Sequence, residues 1–136
     1  MRTALVNAAK SGVDVRLVVP GIPDKKLVYF LTQSNFPYLI KNGVKIYTYT
    51  PGFIHAKCFV SDDVQATVGT VNMDYRSLLD NLEVTAFIRD RQVVRELSAT
   101  FDGDLASCRR IVRGEWRPAA WRRTLGDVLR LVSPLM

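Results

Sequence analysis

Histidine is almost missing from this chain: His55 is the only one among 136 residues. Chemistry that needs an imidazole therefore rests on that residue or on a second molecule. Cysteine is nearly as scarce. Cys58 and Cys108 are the two, with no CxxC and no Cys/His ligand spacing, which argues against a zinc module or a disulfide framework, and no metal or other cofactor is expected. Long apolar runs are lacking too. The longest span only a few residues, far short of the roughly 20 needed to cross a bilayer, and Met1-Arg2-Thr3-Ala4-Leu5 offers no apolar h-region for a signal peptide. Internal repeats and low-complexity tracts are absent as well. What is present is an apolar fraction of 48%, ordinary for one globular domain with a core to bury.

Acidic charge is the remaining deficit, with 13 Asp and Glu against 19 Lys and Arg, a formal net charge of +6. From Arg109 onward, seven arginines (Arg109, Arg110, Arg113, Arg117, Arg122, Arg123, Arg130) face two acids, Glu115 and Asp127, so this segment holds +5 of that charge. Within it Trp121, Leu125, Val128, Leu129 and Val132 fall on one helical face, which predicts a C-terminal amphipathic helix closed near Pro134. The chain divides on this reading into a body, 1–113, and a basic tail, 114–136. Arginine and tryptophan on such a helix suit a membrane surface of anionic phospholipid; the alternative is a helix docked on the body with its arginines solvated. Overall basicity permits nucleic-acid binding. The charge gathers in the tail, however, and no aromatic-basic platform surrounds His55, so nucleic acid is not the expected partner.

Helix and strand signals alternate through the body. The patterns predict a helix over 3–10 ending near Gly12, then a strand over 13–19 stopped by Pro20-Gly21. Asp24 is the expected cap of a helix through Leu27, Val28 and Leu31, and a helical piece around Tyr38-Leu39-Ile40 ends at Asn42-Gly43. Strands follow over 44–49, 55–60, 65–68 and 82–88. Asp90 then caps a helix in which Val93, Val94, Leu97, Phe101, Leu105 and Cys108 form an apolar stripe for the core. The order argues an α/β fold, a mixed β-sheet flanked by helices.

Chemistry concentrates in Ile54-His55-Ala56-Lys57-Cys58-Phe59-Val60-Ser61-Asp62, which reads H-x-K-x4-D. On a strand His55, Lys57 and Phe59 share one face and Cys58 the other, so Cys58 is read as a buried, reduced thiol. A neutral imidazole is a competent nucleophile or general base, and a lysine brings compact positive charge to phosphoryl oxygens. The bland alternative is a polar strand face meeting water. Gly69-Thr70-Val71-Asn72 follows: glycine lets backbone approach an anion, and the Thr70 hydroxyl and Asn72 amide can donate to phosphate oxygens. An ordinary strand exit with Asn72 in a turn is the other reading. Glu83 opens the last body strand and needs a partner there, either the imidazole, whose tautomer it would fix, or one of the arginines.

Taken together, these residues resemble the signature of the phospholipase D superfamily, H-x-K-x4-D followed by x6-G-[ST]-x-N, met in full by His55, Lys57, Asp62, Gly69, Thr70 and Asn72, with Glu83 in the place of a further acidic residue. Within it the chain is similar to the C-terminal half of bacterial cardiolipin synthases. The finer likeness is carried by Tyr49-Thr50-Pro51-Gly52-Phe53, by Met73-Asp74-Tyr75-Arg76-Ser77 and by Asn81-Leu82-Glu83-Val84. The resemblance implies phosphatidyl transfer between phosphatidylglycerol molecules through a phosphohistidine. His55 is then nucleophile or general acid/base, Lys57 and Asn72 with Thr70 and Gly69 meet the phosphodiester, Glu83 orients His55, and Asp62 is structural support. It also implies a second such motif, from a missing half or a second subunit, and a place at the bacterial cell membrane in a full-length enzyme. A single motif makes a half-enzyme the expectation. A homodimeric phosphodiesterase or nuclease of the same superfamily and a catalytically silent fragment are the alternatives.

Overall fold

The computed structural model describes residues 1–114. The expected amphipathic helix around Trp121 and Leu125, and the tail as a unit, lie outside the described residues. Eleven elements follow in the order α1 (Arg2–Lys10), β1 (Arg16–Pro20), α2 (Lys26–Ser34), α3 (Phe36–Lys41), β2 (Lys45–Tyr49), β3 (Cys58–Ser61), β4 (Gln65–Gly69), α4 (Tyr75–Leu79), β5 (Thr85–Ile88), α5 (Arg91–Ala106) and β6 (Cys108–Ile111). The α/β class is as the sequence predicts, but the sheet is split in two. One is mixed, ordered β1-β2-β6, with β1 and β2 parallel and β6 antiparallel to β2. The other is an antiparallel meander, β3-β4-β5.

The core lies on the first sheet. Val6 of α1, Phe36 and Leu39 of α3, and Val19, Val44 and Ile46 form one buried cluster, with Leu5, Leu17, Ile40 and Ile111 packed around it. Its rim carries an exposed ion cluster, in which Asp14 meets Lys45 at 2.6 Å and Arg16 at 3.0 Å, and Arg16 reaches Asp102 of α5 at 3.0 Å. At such exposure those pairs add little stability. Helix α5 touches strands of both sheets. Asp90 caps it as expected, its carboxylate accepting from the amides of Gln92 and Val93 at 2.9 and 3.0 Å.

Four expectations need correction. The stripe on α5 buries Val94 completely but leaves Val93 exposed, and Cys108 belongs to β6, where it pairs with Tyr49. Helix α2 starts after Lys25, which makes no side-chain cap, rather than at Asp24. Strand β5 spans only Thr85–Ile88 and lies mostly in solvent, so Glu83 precedes it instead of entering a core. Strand β3 begins at Cys58, which leaves His55 and Lys57 ahead of it. A short helix, α4, stands where no periodicity announced one.

Candidate active site

The second sheet brings distant residues to one of its ends by backbone pairing. Cys58 at the start of β3 faces Val68 of β4, and the next pair outward is closed by the Gly69 amide donating to the Lys57 carbonyl at 3.1 Å. On the other side of β4, the Thr70 amide donates to the Val84 carbonyl at 2.9 Å, while the Val84 amide donates to the Thr70 hydroxyl at 3.0 Å. The segments carrying His55 and Lys57, Gly69 to Asn72, and Glu83 are thus tied side by side.

Gly69 is required here by the protein itself. A Cβ on it would collide with the Val84 carbonyl oxygen and come within 2.7 Å of the Thr85 Cα. The space left by its absent side chain is filled by β5, so the expected role of opening backbone to an anion is not what the packing uses it for. Asp62 stands in the hairpin between β3 and β4. It and Asp63 have φ of 53° and 52°, and the Val64 amide closes the turn on the Ser61 carbonyl at 3.1 Å. Two central residues with positive φ match a type I′ turn, and the Asp62 carboxylate accepts from the Ser61 hydroxyl at 3.1 Å.

Glu83 does not meet His55. Its carboxyl is lowered from the ordinary carboxylate value, chiefly because the polar Thr70 and Ser77 hydroxyls nearby favour its charged form, opposed by partial desolvation and aided by Asn81 and the charge of Lys57. The Asn81 amide donates to it at 3.4 Å. Among the described residues, neither the imidazole nor an arginine pairs with it. The Thr70 hydroxyl donates to the Val84 carbonyl at 3.4 Å. Asn72 sits at the same cluster, its Nδ2 donating to the Ser77 hydroxyl at 3.3 Å.

His55 is exposed. Its ring stacks on Phe53, centroids 5.8 Å apart and planes inclined by 18°. Lys57 folds its ammonium back to donate to the His55 carbonyl at 2.8 Å. Cys58 is half-buried with a free thiol, and burial pushes that thiol up. Among the described residues no three His, Cys, Asp or Glu side chains gather where a metal ion could be held, and no helix is long and apolar enough to cross a membrane. Sequence reasoning missed Ser77 and Phe53. The Asp74-x-x-Ser77 spacing just after Asn72 is an N-cap signal that could have flagged the first, since the Ser77 amide donates to Asp74 at 2.8 Å. Phe53, two residues before His55, carries no such signal.

A family model described as cardiolipin synthase, PLD-like domain, matches residues 1–105. The chain is 44% identical over 135 residues to a protein named cardiolipin synthase from Halalkalibacterium halodurans, covering 98% of this chain and 27% of that one. It is 42% identical to cardiolipin synthase 1 of Staphylococcus aureus, with the same coverage. A Streptococcus mutans protein called uncharacterized is 42% identical across 100% of this chain and 30% of its own length. The chain therefore spans less than a third of these relatives. Among solved structures it is similar in fold to Nuc, a phospholipase D family member from Salmonella typhimurium, with a TM-score of 0.71 at 20% identity over 82% of this chain and 73% of that one.

Proposed function

The chain belongs to the cardiolipin synthase, PLD-like domain family, and on that footing we propose that it is one motif-bearing half of a phosphatidyltransferase, moving a phosphatidyl group from one phosphatidylglycerol to a hydroxyl of another. The observation that supports this reading is the tying together of Lys57, Gly69, Thr70 and Val84 at one end of the second sheet, on the segments that carry His55, Asn72 and Glu83. In the first step a ring nitrogen of His55 attacks phosphorus. An N–P bond forms, the bond from phosphorus to the headgroup oxygen breaks, and glycerol leaves with a proton from a second imidazole. That second imidazole, from another motif-bearing half or another copy, then takes the proton of the acceptor hydroxyl. The hydroxyl oxygen attacks phosphorus, the N–P bond breaks, and cardiolipin leaves with His55 restored. The two imidazoles can exchange roles.

Lys57 and Asn72 face the charge that develops on the phosphoryl oxygens. Thr70 helps them meet the phosphodiester, and Asp62 serves the hairpin. In a full-length enzyme the work is done at the bacterial cell membrane, on anionic lipid.

The test uses the chain assembled with a second motif-bearing half and vesicles of phosphatidylglycerol labelled at phosphorus. Label should appear on the protein in an alkali-stable, acid-labile form and then in cardiolipin. His55→Ala should show neither, with an unchanged circular-dichroism spectrum. Near-normal transfer by a folded His55→Ala protein sinks the assignment.

A further inference from the structure

Residues 50–57, which carry the only histidine, belong to no helix or strand. The segment is fixed at both ends. Before it, the Gly21 amide donates to the Tyr49 carbonyl at 2.8 Å, and at its close the Gly69 amide donates to the Lys57 carbonyl at 3.1 Å. The Lys57 ammonium also holds the His55 carbonyl at 2.8 Å. These bonds secure the backbone on which His55 stands. They leave its ring free to turn about two side-chain bonds, the second of which has only broad preferences.

Among the described residues the hydrogen bond made at His55 is at its carbonyl, not its ring. Glu83, expected to orient the imidazole, accepts from Asn81 instead. What meets the ring is Phe53, with centroids 5.8 Å apart and planes inclined by 18°, the spacing of an offset aromatic pair. Phe53 is itself 54% exposed, so it is not a core side chain whose loss would collapse the fold.

Stacking restrains a ring differently from hydrogen bonding. A hydrogen-bonded partner sets the plane but occupies one nitrogen. A phenyl on the face sets the plane and leaves both nitrogens, which lie on the ring edge, available for bonding. The lone pair that attacks phosphorus, or takes a proton, lies in that plane, so the plane must point at the reacting atom. From this geometry we propose that Phe53 is a positioning residue, holding the plane of the His55 imidazole toward the phosphodiester. The proposal rests on the reading of His55 as the group that reacts there, but the hold on the ring can be observed without turnover.

The experiment compares the isotope-labelled full chain with Phe53→Leu, which keeps apolar bulk without a flat face, and Phe53→Tyr, which keeps the face. In the unaltered protein the NMR couplings across the His55 Cα–Cβ bond should report one dominant rotamer. They should average in Phe53→Leu and return in Phe53→Tyr. In the enzyme assembled with a second motif-bearing half, Phe53→Leu should lower kcat on the order of 10–10²-fold, as for a misaligned reacting group. KM for phosphatidylglycerol should change little, and Phe53→Tyr should restore kcat. An apolar contact with lipid would give the opposite split, a KM that rises in Phe53→Ala and is repaired by leucine, and that result overturns the proposal. Unmoved His55 couplings in folded Phe53→Leu overturn it too, as does normal kcat in that variant. Should Phe53→Leu misfold, Phe53→Met takes its place under the same criteria. Absence of transfer by the unaltered assembly would instead overturn the functional reading, with the hold on the ring still judged by the couplings.

Discussion

Lys57 does two things with one ammonium group. It donates to the His55 carbonyl at 2.8 Å, and its charge helps hold Glu83 in the ionised form. Replacing it by alanine should therefore show in two readouts. Turnover of the assembled enzyme should fall by about 10²–10³-fold, as for other lost donors to developing charge, and Asn72→Ala should do the same. The Glu83 midpoint should rise in Lys57→Ala, since a coulombic contribution that lowers it has gone. The sign for stability follows from the direction of the shift. A carboxyl lowered on folding contributes stability that is fully present above its unfolded value and is lost as pH falls through its lower folded value. Acid unfolding of Glu83→Gln should accordingly be less steep in that window. A Lys57→Ala protein with normal turnover and an unmoved Glu83 would show that the ammonium serves neither purpose. The spacing of His55, Lys57 and Asn72 made these residues legible in the sequence. The partner of Asn72 was not, because sequence distance gives no clue that a serine on a five-residue helix, Tyr75–Leu79, accepts from the Asn72 amide.

The β3–β4 hairpin assigns the motif's aspartate a mechanical part. With φ of 53° and 52° at Asp62 and Asp63, both lie in the left-handed region, where a Cβ costs roughly 1–2 kcal/mol and the short side chains of Asp and Asn lessen that cost by local hydrogen bonds. Asp62→Ala should lower stability by about 1 kcal/mol, whereas Asp62→Gly and Asp62→Asn should leave the melting curve near its original place. An Asp62→Ala protein that melts normally yet has lost activity would move this residue from the turn to the chemistry. Elements were legible where a local cause dominates, as at Asp90 with its two amide partners or the strand at Lys45–Tyr49. They were misjudged where a distant partner decides. The alternation of His55, Lys57 and Phe59 is the same with or without a neighbouring strand, but β4 ends at Gly69, opposite Lys57, so the ladder stops before His55. Cys108 continues the apolar spacing of α5, yet pairing with Tyr49 draws it into β6. Helix α4 is too short for periodicity to reveal, and its cap at Asp74 is its only strong local signal.

Over the whole molecule, the surface next to the site is strongly apolar. Leu79 is 65% exposed, Leu82 104%, Val84 77% and Phe87 57%, and they run from the end of α4 through the Glu83 loop into β5. Scattered apolar side chains on a surface need no explanation, whereas a run of large ones beside a reactive site marks a surface that another body covers. The chemistry asks for the same thing, since one imidazole cannot at once attack phosphorus and protonate the leaving oxygen. Both arguments point to a second motif-bearing half, or a second copy, set against this run. The isolated chain should then transfer phosphatidyl groups poorly as a monomer, and any activity should rise with protein concentration and vanish on dissociation. Leu82→Glu separates assembly from folding. Its side chain is wholly in solvent, so the melting temperature should hold, while a charge in the buried contact should weaken association and turnover together. Sedimentation across a concentration series, run beside transfer on phosphatidylglycerol vesicles, reads both. Robust turnover by a proven monomer, or a Leu82→Glu protein that assembles and transfers as well as the original, would mean that this apolar run is not where the second imidazole arrives.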